Sequence, residues 1–166
     1  MRNAAVRSFF HSLVVLAVFS GGAGVRAAEN PAFADWKAFL KGHPLGVFAT
    51  AERDRPRTRV FQFLWIEGER VYFSTGASKD VAKQMRANPN VSFCVFDPAG
   101  NIVLSVDGPV TFVPDRADKE RALSENAGIR EIYKSADNPE FAILYIEPEK
   151  IYTFSFAGGK QYILER

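Results

Sequence analysis

Four arginines alternate along one short stretch: Arg53, Arg55, Arg57 and Arg59. In extended backbone, a period of two places them on one face. Arg53 and Arg55 read as part of a solvated hairpin turn. Arg59 is different, because the apolar pair Val60-Phe61 begins directly after it. A cation at that point is costly unless something pairs it. A phosphate does so well, through bidentate hydrogen bonds. A second polar group follows one hairpin later: Ser74, Thr75, Ser78 and Lys79. Ser78 reads as the N-cap of a helix, and a helix start offers free N–H groups and a positive dipole end. Together the two groups describe a phosphate cradle made from neighbouring elements.

Other chemistries have little to work with. The histidines are His11 and His43, and Cys94 is the sole cysteine. This leaves no Ser-His-Asp set, no CxxC pair, no zinc ribbon and no intramolecular disulfide. His43 reads as a helix-end residue beside Pro44, and Cys94 as a small hydrophobe in an apolar segment. Glu67/Glu69 and Glu147/Glu149 fall in turns and read as solvated faces. Neither a GxGxxG fingerprint nor a P-loop is present.

The elements that must position the cradle follow from periodicity. Pro31 to Lys41 places Phe33, Trp36, Phe39 and Leu40 at helical spacing. Strands are expected over Leu45–Ala51, Thr58–Ile66, Val71–Thr75, Val91–Phe96, Ile102–Val113, Phe141–Ile146 and Ile151–Phe156, with a short last one at Gln161–Leu164. Gly108-Pro109 marks a bulge or bend in the long strand. Helices are expected from Ser78 to Ala87, from Pro114-Asp115 to about Glu125, and over Ile129–Lys134. Many strands at hairpin spacing with few helices favour a closed or nearly closed barrel over a parallel sheet.

The chain has 166 residues, enough for one domain, with 47% hydrophobic and 24% charged residues. The formal charge of +2 misleads. Residues 1–27 hold Arg2, Arg7 and Arg26 and no acid, and removing those three from 21 basic residues leaves 18 against 19 acids. The remainder is weakly negative, so no nucleic-acid reading follows. The first segment has the layout of a secretory signal. Arg2 and Arg7 precede the apolar run Leu13 to Phe19, and small residues then lead to Val25-Arg26-Ala27-Ala28. That run is shorter than the roughly 20 residues that span a bilayer. The expected organisation is a signal peptide at 1–28 and one domain at 29–166, located in a periplasmic or extracellular space.

The order of segments resembles the pyridoxamine 5′-phosphate oxidase-like flavoproteins, which have the FMN-binding split-barrel fold. Gly46-Val47-Phe48-Ala49-Thr50, Pro56-Arg57-Thr58-Arg59-Val60-Phe61 and Val71-Tyr72-Phe73-Ser74-Thr75 carry the likeness. It continues through Ser78-Lys79-Asp80-Val81-Ala82-Lys83-Gln84-Met85, Asn88-Pro89-Asn90-Val91 and Gly108-Pro109-Val110. The resemblance implies a mainly β, six-stranded antiparallel split barrel with short flanking helices. It further implies a homodimer with two FMN molecules, each in a groove between subunits. By matching position, Arg59 would contact the phosphate or ribityl chain, and Val60, Phe61 and Gln62 would line the ring. Phe73, Ser74 and Thr75 would face the cofactor from the next strand. Ser78 and Lys79 would hold the phosphate, with Lys83 an alternative to Lys79 and Gln84 helping from the helix.

The likeness is to the short, flavin-reductase type. The C-terminal Trp, Arg and His of true pyridoxamine phosphate oxidases have no counterpart in this sequence, so vitamin B6 oxidation is not expected. Three functions compete. The first is an exported FMN oxidoreductase passing electrons or hydride from a reduced donor to a small acceptor. The second is a non-enzymatic FMN or haem carrier of the same fold, for which His43, Met85, Cys94 and several Tyr are formal axial ligands. The third is a domain whose pocket has lost its ligand. In the second strand, Phe61, Phe63 and Trp65 alternate with Gln62 and Leu64, and one of those faces is expected to meet the partner subunit.

Overall fold

The computed structural model describes residues 35–166, so the expected signal segment and Phe33 lie outside the described residues. A short helix α1 (Trp36–Gly42) opens this region, and its first free N–H groups are capped by Asp35, whose carboxylate accepts from the N–H of Lys37 and of Ala38. Four strands and one helix follow: β1 (Leu45–Glu52), β2 (Arg55–Glu67), β3 (Arg70–Gly76), α2 (Asp80–Ala87) and β4 (Asn90–Asp97). Then come β5 (Ile102–Val113), α3 (Arg116–Glu125), α4 (Ala127–Tyr133), β6 (Phe141–Ile146), β7 (Lys150–Ser155) and β8 (Gly159–Glu165).

Six strands close into an antiparallel barrel in the order β1-β2-β3-β6-β5-β4, with β4 pairing back onto β1. The strands β7 and β8 extend the sheet outward from β5. Closure pairs both edges of most barrel strands, while β2 and β3 are joined only from Phe63↔Phe73 to their shared hairpin. One strand makes this possible by changing partners. Residues 102–107 of β5 pair with β7, and residues 110–113 pair with β6. The change happens at Gly108-Pro109, where the sequence predicts a bend. A Cβ on Gly108 would lie 2.1 Å from the carbonyl oxygen of Glu147, so only glycine lets the β6–β7 connection pass this close.

Alternation along the strands fills the barrel. Phe48, Phe73, Phe93, Leu104, Leu144 and Ile146 are fully buried, and Leu40 of α1 and Met85 of α2 join the same cluster. The rings of Phe48, Phe73 and Phe93 meet edge-on or tilted, the arrangement their quadrupoles favour. A second apolar cluster lies outside the barrel wall. There Trp65, Tyr72, Phe141 and Ile143 pack against Ala122, Ile129 and Tyr133 of α3 and α4. Asn126 joins those two helices by serving both: its N–H donates to Ala122, ending α3, while its side chain accepts from Ile129 N–H and starts α4.

Two expectations are corrected. Arg53 sits in the β1–β2 turn with φ 58°, as the hairpin-turn reading expects, but Arg55 does not, because β2 already begins there. Ser78 is not a helix cap. The helix starts at Asp80 with Lys79 at the N-cap position and no side-chain cap, while the Ser78 hydroxyl donates to Glu140 at 2.5 Å.

The close approach at Gly108 gives a direct test. Gly108→Ala is expected to destabilise the fold by about 1–3 kcal/mol, the usual cost of forcing backbone apart in a packed site. A urea melt showing an unchanged midpoint would contradict the account of β5.

Candidate functional site

The barrel is split on one side. β2 and β3 pair at Phe63↔Phe73 and beyond, toward their shared hairpin, but the register stops there. In the other direction, residues 60–62 and 74–75 face each other without strand-to-strand pairing. Between them lies a cavity of about 310 Å³, lined by Arg59, Val60, Phe61, Gln62, Leu64, Ser74, Thr75, Lys79 and Val81. Ile129, Ile132 and Tyr133 of α4 close another side. Such a volume is at the low end for a small-molecule site. The unpaired strand edges leave backbone N–H and C=O groups for a ligand with its own hydrogen-bonding edge.

The cavity wall carries two cations and no carboxylate. Arg59 is half-buried, and each of its partners is neutral. Its Nη1 donates to Thr50 Oγ1 at 2.7 Å and to the Arg57 carbonyl at 3.1 Å, and its Nη2 donates to Gln84 Oε1 at 2.7 Å. Burial, and the nearby charge of Arg57, push the Arg59 pKa below the usual arginine value. Both effects act against a charge that the guanidinium nonetheless keeps, so an anion placed here would be stabilised strongly. Lys79 lies over Gly76, whose missing side chain makes room for its methylenes. Its ammonium has no ion-pair or hydrogen-bond partner among the described residues.

Most of the residues expected from sequence assemble here: Arg59, Val60, Phe61, Gln62, Ser74, Thr75 and Lys79 all line the cavity. Three do not. Phe73 is fully buried and packs edge-on against Phe48 and Phe93, because its side chain points to the barrel interior while those of Ser74 and Thr75 border the gap. Ser78 faces Glu140, to which both its N–H and its hydroxyl donate. Gln84 reaches Arg59 from α2 and borders a neighbouring cavity with Arg53 and Lys83. Lys83 is paired with Asp80 at 3.1 Å and stands outside the Arg59 cavity, so Lys79 is the lysine the fold delivers. Sequence reasoning missed Ile129, Ile132 and Tyr133. Their helical spacing was visible, but nothing in it said that α4 would turn back onto β2.

A family model for pyridoxamine 5′-phosphate oxidase matches residues 33–155. The chain belongs to this family. Among solved structures, a NimC/NimA family protein from Clostridium acetobutylicum is 28% identical, with a TM-score of 0.68 over 76% of this chain and 90% of that one. A pyridoxamine 5′-phosphate oxidase-related, FMN-binding protein from Nostoc punctiforme shares the fold at 17% identity, TM-score 0.56, over 76% and 82% of the two chains. A haem-binding protein from Mycobacterium smegmatis does so at 14% identity, TM-score 0.64, over 77% of this chain and 55% of that one. A search of curated proteins finds no match. For this member of the pyridoxamine 5′-phosphate oxidase family, the expected six-stranded split barrel is the observed fold.

The Ser78–Glu140 latch holds the loop before Lys79, and its two hydrogen bonds set the Glu140 carboxyl below its ordinary value of 4.5. A depressed carboxylate contributes stability that is complete above the ordinary value and is lost as pH falls through the lower folded value. Glu140→Gln is therefore expected to be less stable than the parent at neutral pH, with the difference shrinking below about pH 4. Thermal melts of both proteins across pH 3–7 check this, and a constant difference would refute it.

Proposed function

We propose that this protein is an exported FMN-binding flavoprotein, acting as an oxidoreductase between a reduced donor and a small acceptor, and working as a homodimer. The observation that carries the reading is the Arg59–Lys79 cavity. Its wall combines two cations without an acidic partner, the unpaired edges of β2 and β3, and apolar side chains. A flavin mononucleotide combines the complementary groups: a phosphate, and a flat ring system with a hydrogen-bonding edge. FMN, when bound, supplies hydride and single-electron chemistry. Arg59 and Lys79 would hold its phosphate, and the backbone of residues 60–62 would orient the ring. Phe61, Leu64 and Tyr133 would keep water away from it.

Haem fits these residues less well. Tyr133 is the one residue of an axial-ligand type on the cavity wall. Burial, together with Glu140, raises its pKa, which disfavours the phenolate that would bind iron.

A partner subunit is supported by an exposed apolar band on the outer side of β2, β1 and β4. Val60 pairs with Val47, and Val47 pairs with Cys94. Val60 is 67% exposed, and Leu45 and Phe96 extend the band. Exposed apolar residues grouped in this way on a small domain are a feature of interfaces. The Phe61–Phe63–Trp65 face is not available for that role, because Phe63 and Trp65 are buried. Ile132, at the cavity rim, is also exposed, so a second copy would finish both the interface and the small cavity. Export rests on the charged, apolar and small-residue order of residues 1–28.

The purified protein is expected to be yellow, with absorption near 375 and 450 nm (approximate values for oxidised flavin). Arg59→Ala should weaken FMN binding by about 1–3 kcal/mol, the worth of a charge-assisted contact. A Soret band, or a colourless protein that ignores added FMN, would overturn the cofactor. For the interface, Val47→Glu is expected to turn the dimer into a monomer by light scattering. A wild-type monomer at micromolar concentration would defeat the shared groove.

A further inference from the structure

Arg59 owes its orientation to two side chains from other elements. Thr50 on β1 and Gln84 on α2 are both buried, and both bond to it. The bonds form a closed triangle, because the Thr50 hydroxyl also donates to Gln84 Oε1 at 2.6 Å. The chemistry fixes each atom in it. A guanidinium has only donors, so the Gln84 atom facing it must be the carbonyl oxygen. The Thr50 oxygen accepts from Arg59, so its own proton goes to Gln84. One amide oxygen thus takes two donors, and Nη1 and Nη2 are both held. The Nε–H of Arg59 has no partner among the described residues.

The choice of an amide here matters. A glutamate would accept the same two hydrogen bonds with the same shape. It would also bring a full negative charge against Arg59 and compete with any anion in the cavity. A methionine of similar length would leave the charge but remove the acceptor.

We propose that Gln84, with Thr50, is a positioning residue that holds Arg59 with neutral acceptors, so that its positive charge stays available to a phosphate monoester. This rests on the flavin nucleotide reading of the cavity and names what tunes its phosphate end. Gln84 is not among the residues that line the cavity.

The test compares FMN with riboflavin, which has the same ring and no phosphate. Affinities of both are measured by fluorescence quenching for the wild type, Arg59→Ala, Gln84→Glu and Gln84→Met. Gln84→Glu is expected to lower FMN affinity about tenfold or more while riboflavin stays within about twofold. Gln84→Met should lower FMN affinity about threefold to tenfold, again with riboflavin unchanged. Retained riboflavin binding shows that the variants are folded. A general packing role for Gln84 would move both ligands together.

If Arg59→Ala loses the preference for FMN but Gln84→Glu keeps it, the neutral-acceptor inference is overturned and the cavity reading stands. If Gln84→Met keeps the wild-type preference, the positioning role is overturned. If the wild type has no preference for FMN over riboflavin, or Arg59→Ala retains it, the cavity reading fails and takes this inference with it.

Discussion

A guanidinium held by neutral oxygens is the interaction on which the site depends. Taking a cation partly out of water costs several kcal/mol unless its charge is answered. The surface arginines of this chain meet that cost in the ordinary way: Arg57 with Glu52, Arg70 with Glu147, Arg121 with Glu125. Arg59 meets it only in part, with a hydroxyl, an amide and main-chain carbonyls. Both of its terminal nitrogens are hydrogen-bonded while its charge is not answered. That combination fixes the side chain in place and leaves a field directed at whatever enters the cavity. It also ties three elements together, since β1, β2 and α2 each supply one corner.

The split in the barrel gives this field a place to act. Had β2 and β3 paired along their full length, the edge of residues 60–62 that faces away from β1 would also be spent on a ladder. The pairing instead ends at Phe63↔Phe73, and the chain places Ser74, Thr75 and Lys79 across the gap. Stability lost by giving up those ladder bonds is offset elsewhere. The barrel closes through β4, and β5 lends its length to β6 and β7 by bending at Gly108. A rigid aromatic interior around Phe48, Phe73 and Phe93 then backs the open side. The site is therefore a controlled interruption in an otherwise saturated sheet, which is where a flat ligand with a hydrogen-bonding edge can replace a strand.

Much of this was legible in the sequence. The strand positions followed from alternation of apolar residues. The bend at Gly108-Pro109 followed from residues that weaken a ladder. Arg59 stood out because a cation at the start of an apolar run needs a reason. Other features were legible only in part. Ser78 looked like a helix cap, since serine before a helix usually is one, and no local rule reveals that Glu140, 62 positions later, takes its hydroxyl. Phe73 and Ser74 are neighbours in the chain, yet one fills the core and the other borders the cavity. Alternation predicts that they part, but not which side borders the cavity.

The amino-acid order by itself determined the elements, the mainly β barrel, and Arg59 and a following lysine as candidates for one site. These are properties of short windows, where side-chain period and turn chemistry act over a few residues. Only the tertiary structure decided that Lys79 and not Lys83 reaches the cavity, that α4 closes it, and that Gln84 faces Arg59 instead of solvent. Each of those depends on the angle at which one element crosses another. Such angles are set by the packing of the whole core, and no stretch of sequence encodes them alone.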